Sequence, residues 1–144
     1  MLLRTRAPDI VPVMQSELER IVQEFGADTG SIHIIEDGVL ILKAHVGLPQ
    51  RVIDIVTRVP IGKGMAGLAA ERNEPVSTCN IQTDESGNVQ SGAKATGVNG
   101  AIVVPIRNSE GVVRGALGIG VYRSYEYTEE ETQRLITEAG TLAG

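Results

Sequence analysis

The sequence predicts an α+β domain built on one largely antiparallel sheet, and three observations carry that prediction. Two strand-like runs, Ser31 to Ile35 and Val39 to Val46, are joined by Asp37-Gly38, a strong two-residue hairpin signal. A second pair, Ala101 to Ile106 and Val112 to Val121, is joined by the turn Asn108-Ser109-Glu110-Gly111. Apolar stripes at helical spacing bracket these strands at both ends of the chain. Hairpin-linked strands pair antiparallel, and the terminal helices can cover one face of their sheet.

The first stripe is Ile10, Val13, Met14, Leu18, Ile21, Val22 and Phe25. It predicts a helix over 9–26, after a short tail over 1–8. Asp9 caps its start, Pro12 falls in its first turn and Gly26 ends it. The stripe reads as core or dimer interface. In the hairpin, Ile35 pairs with Leu40 and His33 with Leu42. Strict alternation then puts His33 and His45 on opposite faces, where they cannot share a metal. His33 reads as a satisfied core histidine. Lys43 either snorkels at a sheet edge or reaches a ligand. Pro49 to Val56 reads as a short helix.

The most informative stretch runs from Val59 to Val76. Pro60 holds the preceding residue extended, and Gly62 and Gly64 permit a sharp turn at positive φ. Met65 to Arg72 makes about two helical turns. Asn73 ends them and Pro75 cannot continue them. Gly62, Gly64 and Gly67 spell G-x-G-x-x-G, yet Asp54, Arg58 and Pro60 interrupt the run before it. A dinucleotide fingerprint needs a buried strand there and a longer crossover helix. The preferred reading is a tight turn that packs a short helix closely against a sheet. Helix amides beside Lys63 would favour an anionic group.

Val76 to Thr78 is a short strand ending at Cys79. Residues 81–98 are polar and long enough to form a lid, with a helical turn near Val89 to Ala95. In the last strand Ala116, Gly118 and Gly120 alternate with Leu117, Ile119 and Val121, so one face is nearly bare. A bare face admits another element or a ligand. Thr128-Glu129-Glu130-Glu131 is a capping box opening a helix over 128–144, with Leu135, Ile136, Ala139 and Leu142 as its stripe. That helix is still running where the chain stops, which suits a module of a longer protein or a very small standalone one.

With 144 residues, 42% of them hydrophobic, the chain suits a single domain over 1–144. No apolar run reaches membrane-spanning length, and the charged start does not read as a secretory signal. A net charge of −5 with no basic run argues against nucleic acid as a partner. A lone cysteine fits a reducing cytoplasm.

Five pieces in order resemble the GAF domain family. They are Ala27 to Ile35; Ala44-His45-Val46-Gly47-Leu48; Val59 to Gly67 with Ala70 and Glu74-Pro75-Val76; Ile102 to Ile106 with Gly115 to Gly118; and Tyr127 to Glu131 with Leu135. The resemblance implies terminal helices on one face of the sheet, and short helices and the lid over a small-molecule pocket on the other. It also implies a regulatory role and, in many relatives, dimers formed through the terminal helices.

The expected function is therefore a non-catalytic sensory or regulatory module for a small polar or anionic metabolite, signalling through a homodimer. Expected ligand contacts are Lys43, Gly64, Met65, Cys79, Ile81, Asp84 and Asn99. Aromatic content of 3% disfavours a cyclic nucleotide, and no cysteine-histidine pair awaits a bilin. An enzymatic alternative is the GAF-type free methionine-(R)-sulfoxide reductase. That family carries a cysteine in the hinge helix where Ala66 stands here, and more in the stretch matching Ser91 to Val98, which has none. One thiol cannot both attack and resolve. Cys79 itself reads as a small buried hydrophobe. A third reading is a dimerisation scaffold with an empty pocket. No metal site and no catalytic triad can be built from His33, His45 and Cys79.

Overall fold

The structure is a computed structural model that describes residues 7–83 and 97–143. Helix α1 (Ala7–Glu24) leads into strands β1 (Thr29–Glu36) and β2 (Val39–Val46). Helix α2 (Gln50–Val56), strand β3 (Arg58–Pro60), helix α3 (Gly64–Arg72) and strand β4 (Val76–Thr78) follow. A 3-10 turn at Ile81–Thr83 precedes strands β5 (Gly100–Arg107) and β6 (Val113–Val121), and helix α4 (Glu129–Leu142) comes last. The six strands form one sheet in the order β3-β2-β1-β6-β5-β4, with every pairing antiparallel. The expected α+β architecture is borne out.

Local chemistry explains the joints. Asp37 and Gly38 both take positive φ, 52° and 78°, as a hairpin turn matched to strand twist requires. Asn73 caps α3 in the left-handed region at φ 54°. The Thr128 side chain accepts from the Glu131 amide and Glu131 reaches back to the Thr128 amide, completing the capping box. Helix α1 starts at Ala7, two residues earlier than Asp9, so Pro12 lies in its second turn rather than its first.

Helices α1 and α4 cover one sheet face. Leu18, Ile21, Ile32, Val104, Leu117 and Leu135 are buried there as one core. Arg20 ties the two helices by a two-pronged contact to Glu138, at 2.9 and 3.1 Å, and Arg134 lies 4.5 Å over the Phe25 ring. The other face carries smaller clusters around α3, one with Met65, Ala69 and Val76, one with Leu40, Ala70 and Ala116.

One irregularity matters for the site. Ile32 pairs with Ala44 and His33 with Leu42, so Lys43 is an extra residue in β2. Such a bulge shifts side-chain parity beyond it. His45 therefore pairs with Ser31 and shares the sheet face of His33, correcting the expectation of opposite faces. Strand β3 covers only Val39 to Ile41 of β2's outer edge. Past it, the Gln15 amide satisfies both backbone groups of His45, at 2.8 and 3.1 Å. The G-x-G-x-x-G stretch follows a three-residue edge strand and sits in a wholly antiparallel sheet, so it is a packing hinge and not a dinucleotide fold.

Candidate functional site

A cavity of about 500 Å³ lies between the second face of the sheet, α2, the hinge and the start of α3. Its floor follows from strand parity. On β1, Thr29, Ser31 and His33 point to this face, opposite Gly120, Gly118 and Ala116 of β6. The bare strand leaves the volume that bulky side chains would fill. A Cβ on Gly120 would meet Val98 Cγ1 at 2.6 Å, so Val98 closes over the floor only because glycine is there. Val52, Val56, Val59, Met65 and Ile81 make the walls apolar.

The hinge sets the start of α3. The Lys63 amide donates to Pro60 O at 3.1 Å, and the Gly62 amide donates to Gly67 O at 2.9 Å. Lys63 occupies the N-cap, and its side chain makes no capping hydrogen bond. The N–H groups of Gly64, Met65 and Ala66 have no acceptor among the described residues. Arg58 and Lys63 also line the cavity, and neither has an ion-pair partner among the described residues. No Asp or Glu stands among the described lining residues. This wall is thus positive although the whole chain is net −5.

Among the described residues, His33 is the one ionisable group deep in the floor, at 3% exposure. Its Nε2 lies 2.8 Å from Val56 O, and its Nδ1 is buried without a hydrogen-bond partner among the described residues. Half of the expected satisfied core histidine is present: Nε2 is paired, while Nδ1 is enclosed and unpaired among the described residues. Burial lowers its pKa from 6.5, against the opposing effect of the Val56 carbonyl. A depressed folded-state pKa means the unfolded chain binds more protons below about 6.5. Stability from this group is complete above that pH and is lost as pH falls towards the folded-state value. Urea unfolding at pH 7.5 and 5.5 should show this loss in the parent chain, and the His33→Gln variant should lose less. Equal losses in both would remove His33 from the account.

The expected contacts divide. Gly64, Met65 and Ile81 line the cavity. Lys43 does not; its ammonium is 2.7 Å from Glu36. Asn99 is used in holding the chain, with its Oδ1 accepting from the Gln82 amide at 3.3 Å and its Nδ2 donating to Tyr122 O at 3.0 Å. Cys79 is exposed and off the cavity, which corrects its reading as a buried hydrophobe, because it follows a short edge strand. Asp84, most of the expected lid and its helical turn lie outside the described residues. Sequence reasoning missed Thr29, Ser31, Arg58 and the cavity position of His33. Their signal was present, as three polar residues alternating along β1. No group of three or more metal-ligating side chains occurs among the described residues. No helix among them is long and apolar enough to cross a membrane.

An antiparallel sheet with paired helices on one face and a cavity under short helices on the other defines a small α+β domain class. The chain belongs to the GAF domain family, whose model, described as GAF domain, matches residues 9–144. Such domains commonly serve as regulatory or sensory modules. The GAF domain of a phosphoenolpyruvate-protein phosphotransferase from Coxiella burnetii is similar at 27% identity and TM-score 0.78, covering 95% of this chain and 82% of that one. A type II free methionine-R-sulfoxide reductase from Thermoplasma acidophilum is similar at 21% identity and TM-score 0.78, covering 93% and 89%. The free methionine-R-sulfoxide reductase from Neisseria meningitidis is similar at 20% identity and TM-score 0.76, covering 93% and 75%. At such identity the two reductases share the fold with this chain and no more. No curated protein matches the sequence.

Proposed function

We propose that this chain is a non-catalytic sensory GAF domain that takes a small organic anion into the cavity, works in a reducing cytoplasm, and signals through a homodimer of its terminal helices. The observation that carries the reading is the cavity wall, where Arg58, Lys63 and uncapped α3 amides stand with no carboxylate among the described lining residues. Exposed Val13 on α1 supports a helix-to-helix partner surface. The reductase reading is disfavoured because Ala66 lines the cavity while the single thiol, Cys79, is exposed outside it.

A thermal-shift and calorimetry panel tests this. It holds oxoacids, amino acids, alkanoates, cyclic nucleotides and methionine sulfoxide. An organic anion at 100 times its Kd should stabilise the fold by about 2.7 kcal/mol. Removing both charges in Arg58→Ala/Lys63→Ala should weaken it roughly tenfold, at about 0.5–1 kcal/mol for each exposed charge. No shift with any anion would favour a scaffold with an empty pocket. Turnover of methionine sulfoxide with a thiol reductant would overturn the non-catalytic reading. Sedimentation of the full chain tests the dimer.

A further inference from the structure

We infer that the cavity selects an organic anion that also carries a neutral carbonyl acceptor, set apart from the anion by an apolar body, and that the Ser31 hydroxyl on the floor donates to it. This rests on the cavity being the ligand site proposed above.

Strand geometry opens Ser31 to the cavity and to nothing else. β1 is flanked by β2 and β6, so its side chains have only the two sheet faces. The helix-covered face is filled, with Ile32 at zero exposure and Gly30 packed beneath Leu18 and Val22. Ser31 stands on the other face, lines the cavity and is partly exposed. Its Oγ lies 3.3 Å from where a Cβ on Gly118 would stand, so glycine on β6 leaves the hydroxyl uncovered. That hydroxyl makes no hydrogen bond among the described residues, and unlike His33 Nδ1 it is not enclosed. Thr29, two residues back on the same face, is 5% exposed and lines the cavity with its hydroxyl equally unpaired among the described residues.

The lining decides what the hydroxyl needs. Arg58, Lys63 and the α3 amides offer donors and positive charge. No Asp or Glu among the described lining residues offers an acceptor, and walls such as Val52, Val59 and Met65 are apolar. An unpaired donor in such a place costs free energy that an incoming acceptor recovers. A plain alkanoate would meet the cationic wall and leave the hydroxyl unpaired. A second carboxylate would bury a charge against apolar walls. A ligand hydroxyl would bring a further proton to a site short of acceptors. An anion with a ketone, ester or amide carbonyl at a distance satisfies both demands.

Calorimetry on the full chain tests this with keto acids from 4-oxopentanoate to 9-oxodecanoate. Controls of matching length carry an exomethylene group in place of the ketone oxygen, which keeps the shape and removes the acceptor. At the chain length that reaches Ser31, the keto acid should bind roughly 3- to 10-fold tighter than its control, the net value of one neutral hydrogen bond. Ser31→Ala should erase that ratio. The infrared carbonyl band of the bound ¹³C-labelled ketone should also move to higher frequency in Ser31→Ala, as loss of a hydrogen bond requires and a merely structural role would not produce. If acids bind but keto acid and control are equal at every length, or the ratio survives in Ser31→Ala, this inference is overturned and the anion-binding cavity stands. If no acid binds at all, both fall together.

Discussion

Replacing Gly67 with alanine should lower stability by about 2–3 kcal/mol, in the upper range for overpacking. The same change at Gly140 should raise it by up to about 1 kcal/mol. Both glycines lie in helices, so propensity alone predicts a gain at each. Surroundings decide the sign. At Gly140 a new Cβ would meet nothing within 4 Å. At Gly67 it would lie 2.5 Å from Pro60 O and 3.0 Å from the Gly62 nitrogen. Those are backbone atoms, held by β3 pairing to β2 and by the Gly62-to-Gly67 hydrogen bond. They can yield only if α3 backs away from the hinge. The cavity would then lose its amides as well as its shape, so ligand affinity should fall with stability. Thermal melts of the two variants check the sign, with Gly67→Ala melting roughly 5–10 °C lower. A Gly67→Ala chain as stable as the parent would show that the close approach is dispensable.

This contrast bears on what was legible in the sequence. The hinge reading came from Pro60, Gly62, Gly64 and Asn73, whose backbone restrictions are local and act wherever the residue is placed. The capping box at Thr128 and the turn at Asp37-Gly38 were legible for the same reason. The bare face of β6 was legible because glycine alternation is periodic. The facing of His45 was misjudged because alternation counts residues and the bulge at Lys43 adds one. Nothing in the run Val39 to Val46 marks where the addition falls. The floor residues Thr29, Ser31 and His33 were visible as an alternating polar row. Placing them over Gly120, Gly118 and Ala116 needed the β1–β6 register, a pairing across more than half the chain. Asn99 looked like a ligand contact because it stands at a strand end. Its amide instead closes hydrogen bonds to residues 82 and 122, which no local pattern predicts.

Gly118→Leu should abolish binding of any anion found in the panel, by 100-fold or more, while changing stability by no more than about 1–2 kcal/mol. Gly118 sits mid-floor, paired with Ser31 on one side and Val103 on the other. Its new Cβ would stand 3.2 Å from Val103 Cγ2 and 3.3 Å from Ser31 Oγ. Those are side-chain atoms that need to shift by only a few tenths of an ångström. The rest of the leucine enters the roughly 500 Å³ cavity, where it buries apolar surface and meets no packed core. A strand position also suits leucine better than glycine. Folding thus has little to lose and ligand binding has its volume to lose. Leu117, one residue earlier, faces the α1 and α4 core at zero exposure, so Leu117→Ala should show the reverse pattern. It should lose about 2–5 kcal/mol of stability with ligand affinity retained in the folded fraction. Calorimetry and urea unfolding on the pair measure both quantities. Undiminished binding in Gly118→Leu would place the ligand outside this cavity. Loss of binding in both variants would mean that the two faces of the sheet are coupled.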